Sequence, residues 1–339
     1  MSPPDDEAQT HTPIAVLGAG SWGTALAIQL ARAHRPTRLW GRNTAELAAM
    51  SAARVNARYL PQVAFPASLT IEHDLAKAVE GVGIVLIAIP SHAFRDALVQ
   101  LAPHLTAHQH VAWATKGFEL SSGLLPHQIA RALLPGVPLA VLSGPTFARE
   151  VGQGLPTAMT VASEDELFAK ELARSLSGEH FRAYTSLDIV GVEVGGATKN
   201  VLAIATGLAD GMGFGANTRA ALITRGLVEM TRLGTALGAR ADTFMGLSAL
   251  GDLVLTCTDD QSRNRRFGLA MARGLTSQAA LLEIGQVVEG FQAAAAVHAV
   301  ARRLHVDMPI AHEVYRVLYE HVPLKEAVAA LMGRDLKAE

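Results

Sequence analysis

The stretch that most limits what this chain can become is Ile14-Ala-Val-Leu-Gly18-Ala-Gly20-Ser-Trp-Gly23, an apolar run that ends in glycines spaced G-x-G-x-x-G. Four apolar residues in a row read as a buried parallel strand. Thr24 to Ala33, small and apolar-periodic, reads as the helix that follows. Gly18 and Gly20 let the backbone turn tightly and approach a pyrophosphate with no Cβ in the way. Gly23 lets the helix lie close against the strand, and the helix N-terminus offers free N–H groups to phosphate oxygens. A glycine-rich turn without a ligand is the plain alternative. The strand before the turn and the helix after it weigh against that, so Gly18, Gly20 and Gly23 are expected to hold a dinucleotide.

Composition narrows the class. A chain of 339 residues can bury a large core and is expected to form two domains. Half of it is hydrophobic, yet no apolar stretch approaches the roughly 20 residues of a membrane-spanning helix. Residues 1–13 are polar and proline-bearing and read as a loose tail without a signal core. The single cysteine, Cys257, excludes an internal disulfide and suits a reducing compartment. A formal charge of −2 gives no electrostatic case for nucleic acid or an anionic membrane surface. A soluble, cytoplasmic protein is expected.

The first half alternates strand and helix. Arg38 to Trp40, Ile84 to Ile89, His110 to Thr115 and Leu139 to Leu142 read as further strands, and Thr157 to Val161 as one more. Strands separated by helical segments predict right-handed crossovers in a parallel sheet, with ligands outside its carboxyl ends. That puts Pro90-Ser91, Lys116-Gly117 and Ser143-Gly144-Pro145-Thr146 on the ligand side. From about Asp188 the strand signal disappears. Asp188 to Ala209 and Arg219 to Leu237 read as long helices, broken apart by Gly211-Met-Gly213-Phe-Gly215. Shorter helices follow over Arg265 to Arg273, Gly290 to Leu304, Met308 to Leu318 and Leu324 to Met332. The expected organisation is the tail, a dinucleotide-binding Rossmann domain over 14–187 and an all-helical substrate domain over 188–339.

When such a site holds NAD, an acid roughly 20 residues past the glycines takes the ribose 2′-hydroxyl. Here the second strand ends in Trp40-Gly41-Arg42-Asn43, with no acid. The Arg42 guanidinium can instead pair with a 2′-phosphate, which a carboxylate would repel. NADPH is the expected cofactor, with NADH also possible.

Three further segments combine polar groups with unusual surroundings. Lys116 stands at the end of a buried strand. Lys199 lies in Glu193-Val-Gly-Gly-Ala-Thr-Lys199-Asn200, a helix of otherwise small and apolar residues, where it must snorkel, pair or occupy a cleft with a shifted pKa. Gly195 and Gly196 cost that helix roughly 1 kcal/mol each against alanine, which points to close approach of a neighbour there. Asp252 precedes Ser262-Arg263-Asn264-Arg265-Arg266, whose hydroxyl, guanidinium, amide and helix-start N–H groups suit a phosphate. An ordinary serine-capped helix with a charged first turn reads equally well from the local residues alone.

With these residues in view, the chain resembles the bacterial NAD(P)-dependent glycerol-3-phosphate dehydrogenases from about Ile14 to Met332. The motifs are Gly18-Ala-Gly20-Ser-Trp-Gly23, Thr115-Lys116-Gly117, Ser143-Gly144-Pro145-Thr146-Phe147-Ala148, Lys199-Asn200-Val201, Gly251-Asp252-Leu253, Ser262-Arg263-Asn264 and Val287-Val288-Glu289-Gly290. Seven in this order are specific where any one is not. The resemblance implies a helical second domain like that of 6-phosphogluconate dehydrogenase. It also implies reversible reduction of dihydroxyacetone phosphate to sn-glycerol 3-phosphate for phospholipid synthesis.

By the same resemblance Lys199 is the general acid or base, Lys116 its cationic neighbour and Asp252 the group that holds them. Gly144, Thr146, Ser262, Arg263 and Asn264, with Lys116, Lys199 and Asp252, would bind substrate. Ser21, Trp22, Arg42, Lys116, Ala148, Arg263, Val287 and Glu289 match the cofactor contacts. The chain departs from the family in Thr146, where serine is commoner, and in Ala293, where a threonine is common at or near that position. No metal is implied.

Rival expectations are a related β-hydroxyacid or ketopantoate-type NADPH reductase, and a sensor that binds NADPH without turning it over. The phosphate-suited Ser262-Arg263-Asn264 segment speaks against the first, and a lysine pair beside Asp252 against the second. The apolar helices of the second half fit a homodimer.

Overall fold

The computed structural model describes residues 12–335; most of the expected tail, residues 1–11, and the last four residues lie outside the described residues. The apolar run forms β1 (Ile14–Leu17), buried at every position. Further strands are β2 (Thr37–Trp40), β3 (Val55–Asn56), β4 (Leu60–Ala64), β5 (Leu69–Glu72), β6 (Ile84–Ile87), β7 (His110–Trp113), β8 (Leu139–Ser143), β9 (Thr157–Ser163) and β10 (Phe181–Ser186). β3 and β4 make a small hairpin, and the other eight form one sheet in the order β10-β9-β8-β7-β6-β1-β2-β5. Neighbours from β5 through β1 to β8 are parallel.

The helices of this half are α1 (Ser21–Arg32), α2 (Thr44–Ala53), α3 (Leu75–Val79), α4 (Phe94–Leu101), α5 (Pro126–Leu133), α6 (Ala148–Gln153) and α7 (Glu166–Leu176). α1 starts at Ser21 rather than Thr24, so Gly23 lies inside it. The all-parallel expectation fails at one place, where β9 runs antiparallel to β8. There the chain does not cross the sheet: Ser143, the last residue of β8, pairs with Thr160 midway along β9, so β9 begins at the ligand end and runs back beside β8. The crossover through α7 then returns the chain, and β10 pairs parallel to β9.

Beyond β10 the described residues hold helices only: α8 (Ile189–Gly211), α9 (Ala216–Ala236), α10 (Asp252–Thr258), α11 (Arg263–Ala272), α12 (Ser277–Ile284), α13 (Glu289–Arg303), α14 (Pro309–Tyr319) and α15 (Leu324–Met332). The break between α8 and α9 falls on the glycine-rich segment, with Gly213 at φ +83°. α8 is buried along nearly its whole length and is the axis on which the others pack. α11 crosses it at Gly207 and Gly268, where added Cβ atoms would stand 2.1 Å from the Arg265 carbonyl oxygen and 2.4 Å from that of Ile204. Only glycines permit so close a crossing, and it brings the start of α11 beside the middle of α8. Among the described residues no helix is long and apolar enough to cross a membrane.

A carboxylate from one helix caps another. Glu229 of α9, 2% exposed, accepts the backbone N–H groups of Ile310 at 2.7 Å and Ala311 at 3.1 Å, the first turn of α14 after Pro309. Burial raises the Glu229 carboxyl to about 7, against the pull of those two donors. A carboxyl raised in the folded state stabilises most below its unfolded pKa of roughly 4.5 and loses that contribution as pH rises through 7. Glu229→Gln has no proton to lose. Thermal melts of both proteins from about pH 5 to about pH 8 should show the wild type falling relative to the variant as pH rises. A constant gap would mean that Glu229 keeps an ordinary pKa.

Candidate active site

At the carboxyl end of β1 the backbone turns at Gly18, whose φ is +121°. A side chain there would come within 2.3 Å of the Ala88 carbonyl oxygen, and one at Gly23 within 1.9 Å of the Gly18 carbonyl oxygen. These two contacts hold α1 against the sheet. Gly20 faces open space and caps α1 with no side chain, which leaves the first N–H groups of the helix free for an anion. A long cleft of ≈ 940 Å³ opens here, and its wall includes Gly18, Gly20, Ser21, Trp22 and Arg42. A glycine cradle at a helix start, with a cleft of this size, fits a dinucleotide.

The helical half closes the other wall of the cleft with Arg263, Val287 and Glu289. Gly23 packs beneath the cleft and does not line it. Ala148, at the start of α6, packs against the same apolar core as Trp22; neither Ala148 nor Lys116 lines the long cleft. Near Arg42, the cleft also carries Glu46, Arg58 and Tyr59. Looking for an acid only at the end of β2 overlooks Glu46, which sits in the first turn of α2.

The three chemistry-bearing segments converge on one carboxylate. Asp252, at the start of α10, is 1% exposed. Its Oδ2 accepts from Lys116 Nζ at 2.6 Å and its Oδ1 from Lys199 Nζ at 2.5 Å. Lys116 comes from the loop after β7 and Lys199 from the middle of α8, so the carboxylate joins sheet and helices. The glycines of α8 make the meeting possible. A Cβ at Gly196 would stand 3.2 Å from Lys116 Cγ, and one at Gly195 2.7 Å from the Ser248 carbonyl oxygen. Thr256, one turn beyond Asp252, accepts a further bond from Lys199 Nζ at 3.0 Å while donating to the Asp252 carbonyl oxygen.

The electrostatics follow from burial and the mixed charges. Burial alone would raise the Asp252 carboxyl, but the two ammonium groups outweigh it and hold it below the usual carboxylate range. Burial is the largest influence on Lys199 and lowers it. Asp252 opposes the fall, the Lys116 charge adds to it, and the result is about 8.

A polar network flanks the lysine. Asn264 donates to Asn200 Oδ1 at 2.9 Å and accepts from the Gly290 N–H at 2.8 Å. Asn200 donates to Glu289 at 3.2 Å. Ser262 caps α11 through the Arg265 N–H. The Arg263 guanidinium has no carboxylate partner among the described residues and faces the long cleft.

Gly144 (φ +159°) lies against Met159, where a Cβ would come within 2.8 Å of that residue's Cα. Thr146 donates to the Gly144 carbonyl oxygen at 3.2 Å. Pro145 between them sits over Gly251, so this loop abuts the Asp252 segment. A cavity of ≈ 20 Å³ lies beside Lys116, Asn200 and Glu289. Glu289 lines both spaces and marks where they meet. Among the described residues, no group of three or more His, Cys, Asp or Glu could hold a metal.

Besides Glu46, two features were not read from the sequence. Thr256 had a legible signal, since it follows Asp252 by one helical turn on the same face. Glu193 had the signal of Lys199, a charge on a helix of small and apolar residues. It is buried on α8 and accepts from Trp113 Nε1 at 3.0 Å, from the His127 N–H at 2.9 Å and from the His127 ring. Burial raises its carboxyl above the ordinary value, against those donors.

Known proteins place the chain. The family profiles described as NAD-dependent glycerol-3-phosphate dehydrogenase N-terminus and C-terminus match residues 13–169 and 188–329. A glycerol-3-phosphate dehydrogenase [NAD(P)+] of Pseudoalteromonas translucida is 54% identical over 328 residues, covering 96% of this chain and 98% of the relative. The crystal structure of glycerol-3-phosphate dehydrogenase from Coxiella burnetii superposes with a TM-score of 0.92 at 47% identity, over 96% of this chain and 99% of that one. A ketopantoate reductase from Ralstonia eutropha reaches a TM-score of 0.57 at 18% identity, covering 90% of this chain and 97% of that one, and shares the fold alone. With a Rossmann sheet, a helical second half and matches across nearly its whole length, this chain belongs to the NAD(P)-dependent glycerol-3-phosphate dehydrogenase family.

Proposed function

We propose that the chain interconverts dihydroxyacetone phosphate and sn-glycerol 3-phosphate with a nicotinamide dinucleotide, NADPH preferred and NADH accepted, and that Lys199 is its general acid and base. The observation that carries this reading is the buried Lys116–Asp252–Lys199 chain. When bound, the dinucleotide supplies or accepts a hydride. Every proton step falls to the protein. In the reducing direction the Lys199 ammonium gives a proton to the carbonyl oxygen; in the oxidising direction its neutral amine takes the hydroxyl proton. Asp252 fixes the amine through one oxygen and Lys116 through the other. Lys116 keeps a positive charge beside the oxygen on which negative charge develops.

Arg263, without a carboxylate partner among the described residues and facing the cleft, supports a phosphate site together with Asn264, Ser262 and the start of α11, completed by the Gly144–Thr146 loop. Arg42, exposed on the cleft wall with no carboxylate partner among the described residues, supports the preference for a 2′-phosphate. In this reading 14–187 is the dinucleotide-binding domain and 188–339 the substrate and catalytic domain, each lending residues to the other's site. The enzyme works in the cytoplasm as a homodimer and feeds phospholipid synthesis.

The deciding assay is NADPH oxidation with dihydroxyacetone phosphate against unphosphorylated dihydroxyacetone. Turnover that needs the phosphate supports the reading; equal turnover of both would point to a sister reductase. Lys199→Ala should lower kcat by about a thousandfold, within the range for loss of a general acid–base group. NADPH affinity, read by fluorescence titration, should stay within about twofold. Loss of binding in a folded variant would give Lys199 a cofactor role instead.

The pH dependence has a definite sign. Glycerol 3-phosphate oxidation needs neutral Lys199, so its kcat/KM should rise with pH and level off above about 8. Ketone reduction needs the ammonium and should fall across the same range. Because the Lys116 charge lowers Lys199, Lys116→Met should move the oxidation limb to higher pH. A limb that stays in place would remove Lys116 from the electrostatics of the step.

A further inference from the structure

We propose that Arg58 is a second cation for the cofactor 2′-phosphate and that Glu46 competes for it, so that this pair sets how strongly the chain prefers the phosphorylated dinucleotide. The inference rests on the reading above, in which Arg42 marks the 2′-phosphate end of the cleft. Arg42, Glu46, Arg58 and Tyr59 all line that end. Arg58 Nη1 stands 2.5 Å from Glu46 Oε1, with the side chains 63% and 32% exposed. The Arg58 guanidinium also lies over the Tyr59 ring, 5.1 Å from its centroid.

Glu46 is held in place by its own helix. The Asn43 side chain caps α2 by accepting the Glu46 N–H at 3.1 Å, so the carboxylate stays in the first turn, three residues after Asn43. An uncompensated carboxylate there would repel a 2′-phosphate. Arg58 neutralises it, and an exposed pair of this kind is weak enough to exchange partners. A dianionic phosphate offers the guanidinium more charge and bidentate geometry. Arg58 then turns from Glu46 to the phosphate while its face stays on Tyr59, which limits the ordering cost. A 2′-hydroxyl makes no such offer, and the Glu46–Arg58 pair stays closed.

The test uses the full-length protein and two probes that undergo no hydride transfer, adenosine 2′,5′-bisphosphate and 5′-AMP, titrated calorimetrically. Arg58→Ala should weaken the bisphosphate about fivefold, the scale of one exposed charge contact, and leave 5′-AMP unchanged. Glu46→Gln should tighten the bisphosphate by a similar factor and leave 5′-AMP alone. Both effects should shrink as salt rises. KM for NADPH should follow the bisphosphate, while KM for NADH and for the ketone stays constant.

An Arg58→Ala loss shared equally by both probes would overturn the proposal, because Arg58 would then serve the adenine or the 5′-phosphate. Weaker bisphosphate binding in Glu46→Gln would overturn it too, because Glu46 would be a support and not a competitor. Arg42→Ala separates this inference from the reading beneath it. If Arg42→Ala is silent while Arg58→Ala acts on the bisphosphate alone, the proposal stands and the role of Arg42 falls. If both are silent, both fall.

Discussion

Asp252 is the constraint on which the site depends. A carboxylate this deeply buried is costly to hold charged unless partners replace its water. Here the partners are two ammonium groups from different parts of the chain, and neither lysine could be buried so far without the acid. The three charges are therefore one unit, and the fold must deliver all of them to one point. β7 ends where Lys116 begins, α8 places Lys199 at mid-length, and α10 opens with the acid. Gly196 leaves room for the Lys116 stem, so a helix-weakening residue serves the charge cluster.

Delivery to one point needs the sheet and the helices in a fixed register. Glu193 ties α8 to Trp113 on β7 and to the first turn of α5, a short distance from the strand end that carries Lys116. On the far side, the glycine crossing of α8 and α11 sets Asn264 against Asn200. The Asn200–Glu289 and Asn264–Gly290 bonds extend that register to the start of α13, where the two cavities meet. α8 is thus held by polar contacts at both ends of the site and by apolar packing between them.

What the sequence made legible follows from how each element is buried. β1, β6 and β8 are buried at every position and stand out as unbroken apolar runs. β5 and β10 lie at the sheet edges and mix buried with exposed residues, so their composition looks like loop. The reversal at β9 was invisible because an apolar run such as Thr157–Ser163 reads as a strand in either direction. In the site, the glycine turn, Arg42, the lysines, Asp252 and the α11 start could be named from chemistry, since each is an unusual residue in its setting. Glu193 is as unusual on its helix as Lys199, but its task is to tie α8 to β7 and α5, and no local residue type marks that. Glu46 drew no reading, because an acid in the first turn of a helix is ordinary and only the cleft shows what it faces.

The lysine at about 8 is a balance that neither burial nor pairing reaches alone. Desolvation without a counter-ion drives a buried lysine several units down, leaving it neutral and unable to give a proton at neutral pH. A single tight ion pair does the reverse and leaves an ammonium that will not release one. Asp252 divides its two oxygens between two lysines, so Lys199 receives only part of a counter-ion while Lys116 pushes back. In the role proposed for Lys199 the same nitrogen serves as acid one way and base the other, which requires a pKa near the working pH. That proposal makes the second lysine as much a part of the acid–base chemistry as the first, since it shares the counter-ion and its charge lowers Lys199.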